Sequence, residues 1–178
     1  GQPIPGTWVR LADKEDPHKD APDGEPGELL AKGPQIMAGY WNKPDATEEV
    51  FVDGWLRTGD VATIDEDGFI FIVDRLKDMI AVGGFKVFPS QVEDVLYQHP
   101  AVKEALVIGV PDTYSGERPK AFVTLNDGQT ATGEELADWL NPQLGKHERV
   151  LAVVVRDTLP KTMIGKLDRK ALRAEIGV

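Results

Sequence analysis

The sequence predicts an α+β fold in two parts, and three observations predict it. Up to residue 74, short β-branched and aromatic segments are separated by turn residues, with no sustained helical period. After residue 78, apolar strands alternate with helices that carry start and stop signals. Between them, Asp74-Arg75-Leu76-Lys77-Asp78 places four charges in five residues without glycine or proline. That junction reads either as a polar turn or as a hinge between two bodies.

In the first part, Thr7–Leu11, Glu28–Lys32, Val61–Ile64 and Phe69–Asp74 are the expected strands. Asp65-Glu66-Asp67-Gly68 is a hairpin turn, with Gly68 supplying the positive φ. Ala12–Pro26, polar and proline-rich, is expected to be an exposed loop, and Asp45–Val50 a helical turn after Pro44.

In the second part, Met79–Val82 is a short strand leading to Gly83-Gly84, which turn the chain toward a helix. That helix is expected over Ser90–His99, with Ser90 and Glu93 as a capping box, Val92, Val95 and Leu96 on one face, and Pro100 as the stop. Ala105–Val110 and Ala121–Leu125 are apolar strands separated by Pro111–Pro119, and Asn126-Asp127-Gly128 turns the chain. Thr132 and Glu135 cap a second helix bearing Leu136, Trp139 and Leu140, which Pro142 ends or kinks. Val150–Val155 is a further strand. Asp168 caps a last helix over 169–176, closed by Gly177.

Composition narrows the function. Apolar content of 41% and charged content of 28% fit a globular protein of 178 residues. A sequence pI near 4.8 argues against nucleic-acid binding. No apolar run reaches the length of a membrane span, and Gly1-Gln2-Pro3-Ile4-Pro5 has neither the basic start nor the apolar stretch of a signal peptide. With no cysteine, disulfide and thiol chemistry are excluded, which suits the cytosol. His18, His99 and His147 lack ligand spacing and read as surface residues, so no metal site is expected. A chain without a starting methionine is expected to be part of a larger protein.

The most informative stretch is Leu159-Pro160-Lys161-Thr162-Met163-Ile164-Gly165-Lys166-Leu167-Asp168-Arg169-Lys170. Residues 160–178 carry five Lys/Arg against two acids, a local charge of +3 on a chain of −10. A basic loop on an acidic protein suits a small anion, a phosphate or a carboxylate, rather than a polyanion. On charge alone, a solvated cationic helix is the simpler reading.

Four stretches in order change the balance: Gly39-Tyr40-Trp41-Asn42-Lys43-Pro44 with Thr47-Glu48; Asp53-Gly54-Trp55-Leu56-Arg57-Thr58-Gly59-Asp60; Asp74 to Ile80 running into Gly83-Gly84-Phe85-Lys86-Val87-Phe88-Pro89; and Pro160-Lys161-Thr162 through Gly165-Lys166. Together they resemble the adenylate-forming superfamily of acyl-CoA synthetases, luciferases and peptide-synthetase adenylation domains, over essentially the whole chain. Within it, the chain looks most like a fatty-acyl-CoA ligase. The resemblance implies that residues 1–74 are the last, barrel-like part of a large AMP-binding domain, 75–78 the hinge, and 79–178 the C-terminal lid domain. It also implies that the phosphate loop and acyl pocket lie upstream, and that residues 1–178 alone are inactive.

The implied reaction has two halves: a carboxylate attacks the ATP α-phosphate to give acyl-AMP and pyrophosphate, and the CoA thiol then displaces AMP. The implied cofactors are ATP/AMP, CoA and Mg2+, the last held by upstream residues. The implied partners are these small molecules and the rest of the enzyme's own N-terminal domain. The implied location is the cytoplasm, with peripheral membrane association open. By resemblance, Asp60 binds the ribose hydroxyls, a task suited to an acceptor-only carboxylate. Arg75 reaches the ribose and phosphate region, Lys77 is the hinge, and Gly83, Gly84, Phe85 and Lys86 form the loop serving the thioester half. Lys166 is the adenylation lysine, with Lys161 a weaker candidate that positions the loop. Trp41, Trp55, Tyr40 and Phe85 read as packing residues.

Two departures from the family pattern stand out: Gly145-Lys146-His147-Glu148-Arg149 replaces the usual Tyr-Lys-Val-Pro, and Gln91 stands where glutamate is common. The rival readings are a ligase for aryl or short-chain acids, a peptide-synthetase adenylation domain, a luciferase-like oxygenase, and an isolated lid acting as a binding module.

Overall fold

In the computed structural model, which describes residues 1–178, Trp8–Ala12 (β1) and Gly27–Lys32 (β2) pair antiparallel at one side of a five-stranded sheet. Pro44–Val50 (α1) leads into the short strand Phe51–Val52 (β3), which turns at Asp53-Gly54 into Trp55–Ile64 (β4). β4 then pairs with β2 and with Ile70–Arg75 (β5). The sequence shows only the last four residues of β4. Gly59, at φ 72°, and the register shift between Glu28 and Leu30 interrupt the alternation that would reveal the rest. The β4–β5 turn is as expected: Gly68 has φ 79°, and Asp65 Oδ1 accepts from the N–H groups of Asp67 and Phe69.

The core of this part is small: Ala12, Leu30 and Val52 cluster with Trp55 packed against them, and Val61 and Ala62 of β4 are also fully buried. The buried carboxylate of Glu28 is held by the Arg57 fork at 2.8–3.0 Å. The 13–26 loop is tied down by Arg10, which donates to Pro17 O at 2.7 Å and to Asp20 at 2.8 Å. Phe69, Phe71 and Ile72 are exposed.

Gly1–Lys77 forms one compact unit and Asp78–Val178 a second. A 3-10 turn, Leu76–Asp78, runs across the division. The second unit begins with a hairpin, Ile80–Val82 (β6) and Phe85–Val87 (β7). β7 was not legible in the sequence; Gly83-Gly84 joins two strands rather than a strand and a helix.

Pro89–Leu96 (α2) starts at Pro89 with Phe88 in the cap position, so Ser90 lies inside the first turn and is not the cap. Glu93 is used elsewhere, as described below. α2 is also shorter than expected, because Tyr97–His99 close in turn-type hydrogen bonds before Pro100.

Val102–Asp112 (β8) and Gly116–Leu125 (β9) form one long hairpin. Pro111 and Pro119, expected in a connecting loop, lie within the strands opposite Glu117 and Gly109. Gly133–Leu140 (α3) carries the expected capping box: Glu135 N–H donates to Thr132 Oγ1, and Thr132 N–H to the Glu135 carboxylate. A 3-10 turn at Asn141–Gln143 follows, placed where Pro142 ends the helix. The expected strand over 150–155 shrinks to Val153–Val155 (β10), which runs parallel to β9. Arg169–Ile176 (α4) is capped by Asp168, which accepts from Ala171 N–H, and is closed by Gly177 at φ 76°.

The apolar runs of β8 and β9 are continuous because both faces of this sheet are covered. Ala105, Val107, Ala121 and Val123 face a core shared with α2 and α3. Leu106, Ile108 and Phe122, one residue out of step, face Leu159 and Leu172 of the α4 side. No helix is long and apolar enough to cross a membrane.

Candidate active-site residues

Asp60 and Arg75 lie directly opposite one another on β4 and β5. Arg75 Nε is 2.8 Å from Asp60 Oδ1. Neither Asp74 nor Asp78 takes Arg75 as its ion-pair partner: Asp74 Oδ1 accepts the Arg75 backbone N–H at 2.7 Å, and Asp78 faces Arg173 at 3.4 Å. Thr58 Oγ1 donates to Leu29 O and accepts the Asp60 N–H, so the Thr-Gly-Asp bend is pinned to β2. Arg75 is more than half exposed and Asp60 about a quarter. The two side chains thus offer water a carboxylate and a fork of donors on one sheet rung, a combination that can bind a diol beside a phosphate. Lys77, at the last position of the first unit, is exposed within its 3-10 turn.

The β6–β7 hairpin presents Gly83 and Gly84 at φ 58° and 86°, and a Cβ on either would meet nothing within 4 Å in this chain. Both residues of this turn need the left-handed region, which accounts for the two glycines. The hairpin is docked by Gly83 N–H to Ser115 O at 2.8 Å. It is docked again by Phe85, whose ring stacks on His147 at 3.6 Å and 14°. Lys86 stands in mid-β7 opposite Ala81.

Beside this hairpin, Gly83, Tyr114, Ser115, Arg118, Lys146 and His147 border an open groove of about 680 Å³. Asp112 sits in its wall. The Ser115 backbone N–H, and then its hydroxyl, hold that carboxyl below its ordinary value. The sequence had not singled out Arg118 or Lys146 as site residues, and had marked Lys146-His147 only as a departure. These residues converge through tertiary folding, and no sequence spacing signals it.

Lys166 rides on a second hairpin. Lys161 and Leu167 form an antiparallel bridge, Thr162 N–H donates to Lys166 O at 2.7 Å, and Lys166 N–H donates to Thr162 Oγ1 at 3.2 Å. Gly165, at φ 79°, makes the turn. The Lys166 ammonium is exposed and makes no hydrogen bond or ion pair within the chain. Lys161, in contrast, is spent on Glu104 at 2.6 Å.

Two readings need correction. Trp41, Tyr40 and Phe85 are exposed (Trp41 at 89%), so of the four aromatics read as packing residues only Trp55 packs in a core of this chain. Of the three histidines, only His18 is fully at the surface, with Nδ1 2.9 Å from Asp53 Oδ2; His99 lies edge-on to Trp139, and His147 is the partner of Phe85. No group of three or more His, Asp or Glu side chains is placed to hold a metal ion, so no residue of this chain is assigned to Mg2+.

Residues 91–166 match the C-terminal domain of AMP-binding enzymes, and the chain belongs to the adenylate-forming superfamily, aligned with its C-terminal part. It is 49% identical over 175 residues to a long-chain-fatty-acid–CoA ligase of Escherichia coli O6:H1, covering 98% of this chain and 31% of that protein. To a feruloyl-CoA synthase of an Amycolatopsis species it is 45% identical over 177 residues, covering 99% and 36%. The ATP-bound crystal structure of MatB from Rhodopseudomonas palustris superposes with a TM-score of 0.92 at 36% identity, covering 98% of this chain and 35% of that one. The chain therefore spans about a third of the length of the proteins it matches.

Proposed function

We propose that this chain is the C-terminal part of an AMP-forming ligase that joins fatty acids to CoA. The observation that carries the reading is Lys166, a cation without a partner in the chain, presented at a hairpin whose other lysine is neutralised. In the first half-reaction, a fatty-acid carboxylate oxygen bonds to the α-phosphorus of ATP and pyrophosphate leaves. Lys166 sits between the two anions and stabilises the charge growing at phosphorus. Asp60 accepts from the ribose hydroxyls, while Arg75 holds Asp60 and faces the phosphate side. In the second half, the CoA sulfur attacks the acyl carbon and AMP leaves. The Gly83–Lys86 hairpin serves that half, with Gly84 leaving room for the pantetheine chain.

Lys77 is the hinge between halves, motivated by its exposed side chain in a short turn at the boundary of two compact units. Lys77→Pro in the complete enzyme should change the two half-reactions unequally; an equal loss would remove the hinge.

The 45% identity to a feruloyl-CoA synthase supports a second reading, an aryl acid as substrate. Incubating the complete protein with ATP, CoA and a panel of long-chain, short-chain and hydroxycinnamic acids, with AMP and the thioester quantified, decides between them. Turnover is expected with long-chain acids. Turnover confined to aromatic acids selects the aryl reading, and AMP formation with none of them overturns both. Residues 1–178 alone are expected to give no thioester.

A further inference from the structure

We propose that Arg169, acting through Glu93, is a positioning residue for Lys166. The proposal rests on Lys166 being the adenylation lysine. The hairpin carrying Lys166 has two legs, and each ends in a tether to the β8 side of the unit. The outgoing leg is tied by Lys161 to Glu104, both partly exposed, an arrangement that contributes little.

The return leg runs through Asp168 into Arg169, the first residue of α4. Arg169 Nη2 lies 2.7 and 2.6 Å from the two Glu93 oxygens. Its Nε donates to Val107 O at 3.3 Å, and Glu93 Oε1 also accepts the Val107 N–H at 2.7 Å. Glu93 retains 12% and Arg169 20% of its side-chain exposure. One guanidinium thus joins α2, β8 and the start of α4, three residues after Lys166.

The bland reading is an ion pair that merely holds the fold. Two observations favour positioning. A cation at the first residue of a helix opposes the helix dipole, so Arg169 is poorly placed for the stability of α4 itself. A buried ion pair is in general weak evidence of stability. What a guanidinium held at two edges supplies is orientation: Nη2 on the Glu93 carboxylate and Nε on Val107 O fix its plane. Leu172 and Ile176 seat the eight-residue α4 on the core, and Arg173 and Glu175 pair with Asp78 and Arg156 further along it. Arg169 is the anchor nearest the hairpin, and through it the first turn of α4 sets the place of the Lys166 tip.

The test uses the complete enzyme and measures the halves separately, pyrophosphate exchange for adenylation and CoA addition to preformed acyl-AMP for thioester formation. Glu93→Gln with Arg169→Met removes both charges at once, a replacement that is often close to neutral for stability. Adenylation should fall about ten- to a hundredfold, the scale of a small displacement of a reacting group, while thioester formation and Tm stay near the parent. An equal fall in both halves, or unchanged adenylation, overturns the proposal. Should the double variant fail to fold, Arg169→Lys decides, because it keeps the charge on Glu93 and loses the Nε bond to Val107 O: the same split supports the proposal, and parent-like adenylation overturns it. Lys166→Ala measured alongside separates the two claims. If it spares adenylation, the reading of Lys166 fails; if it abolishes adenylation while the Arg169 variants do not, only the positioning role fails.

Discussion

The two hairpins of the second unit are alike in outline and opposite in anchorage. Each turns through glycine at positive φ and exposes its tip. The Gly83-Gly84 hairpin is a pair of true strands, docked by a backbone hydrogen bond and a ring stack. The Lys166 hairpin has a single bridge between its legs; Leu159 and Leu167 seat its base on the core, and charged side chains tether it from there. The difference follows the task proposed for each. A loop whose value is its thinness must be held by its backbone, because side chains near the tip would fill the space it leaves. A loop whose value is one charge can be held by other charges, provided they are neutralised and leave that one alone.

The sharpest way to break this contrast is Lys166→Ala. Adenylation should fall by about 10²–10³, or about 3–4 kcal/mol, with thioester formation from acyl-AMP retained. Comparable losses in both half-reactions would erase the division of labour. Gly84→Leu is the mirror experiment. Within this chain the new side chain meets no atom, so the local cost is the strain of φ 86°, about 1–2 kcal/mol. Thioester formation should drop while adenylation persists; intact thioester formation would show that thinness at this tip is irrelevant.

Thr132→Ala, at the cap of α3, should cost about 1 kcal/mol in chemical denaturation and leave the ratio of the two half-reactions unchanged. A changed ratio would mean that the hairpins report general stability. The same cap has an acid limit. The Glu135 carboxyl lies below its ordinary 4.5 because the Thr132 backbone N–H, and then its hydroxyl, donate to it. Its stabilising contribution is therefore complete above about pH 4.5 and is lost as pH falls through the lower folded value. Glu135→Gln should flatten that part of the stability–pH curve, whereas Thr132→Ala, which keeps the backbone N–H, should only reduce its slope. The smallest effect is expected from a double-mutant cycle on Phe85→Ala and His147→Ala, with a coupling near 0.5 kcal/mol. Zero coupling would remove the ring stack from the docking of its hairpin.

Much of this was legible in the sequence, and the failures have physical causes. Capped or glycine-closed helices such as α3 and α4 stand where Thr132, Asp168 and Gly177 place them, because caps act locally. The Ser90–Glu93 box was misread because Pro89 starts the helix one residue earlier and Glu93 answers to a residue 76 positions away. β7 and the first six residues of β4 lack a sequence signal because glycine-flanked strands of charged and aromatic residues draw their order from neighbours rather than from periodicity. The Asp60–Arg75 rung is a matter of register between two strands, and the Phe85–His147 stack joins residues 62 apart. Neither has a sequence signal beyond the motifs that mark Asp60, Arg75 and Phe85 individually.

The unequal cores have a practical consequence for handling the protein. Asp78–Val178 is a sheet insulated on both sides, and expressed alone it should elute as a soluble monomer. Gly1–Lys77 buries only Ala12, Leu30, Val52, Val61 and Ala62 as apolar core and leaves Phe69, before β5, and Phe71 and Ile72, within it, exposed. Such a surface recruits other copies of itself, so this half expressed alone should run as aggregates on size exclusion, and charged replacements at Phe71 and Ile72 should restore its solubility.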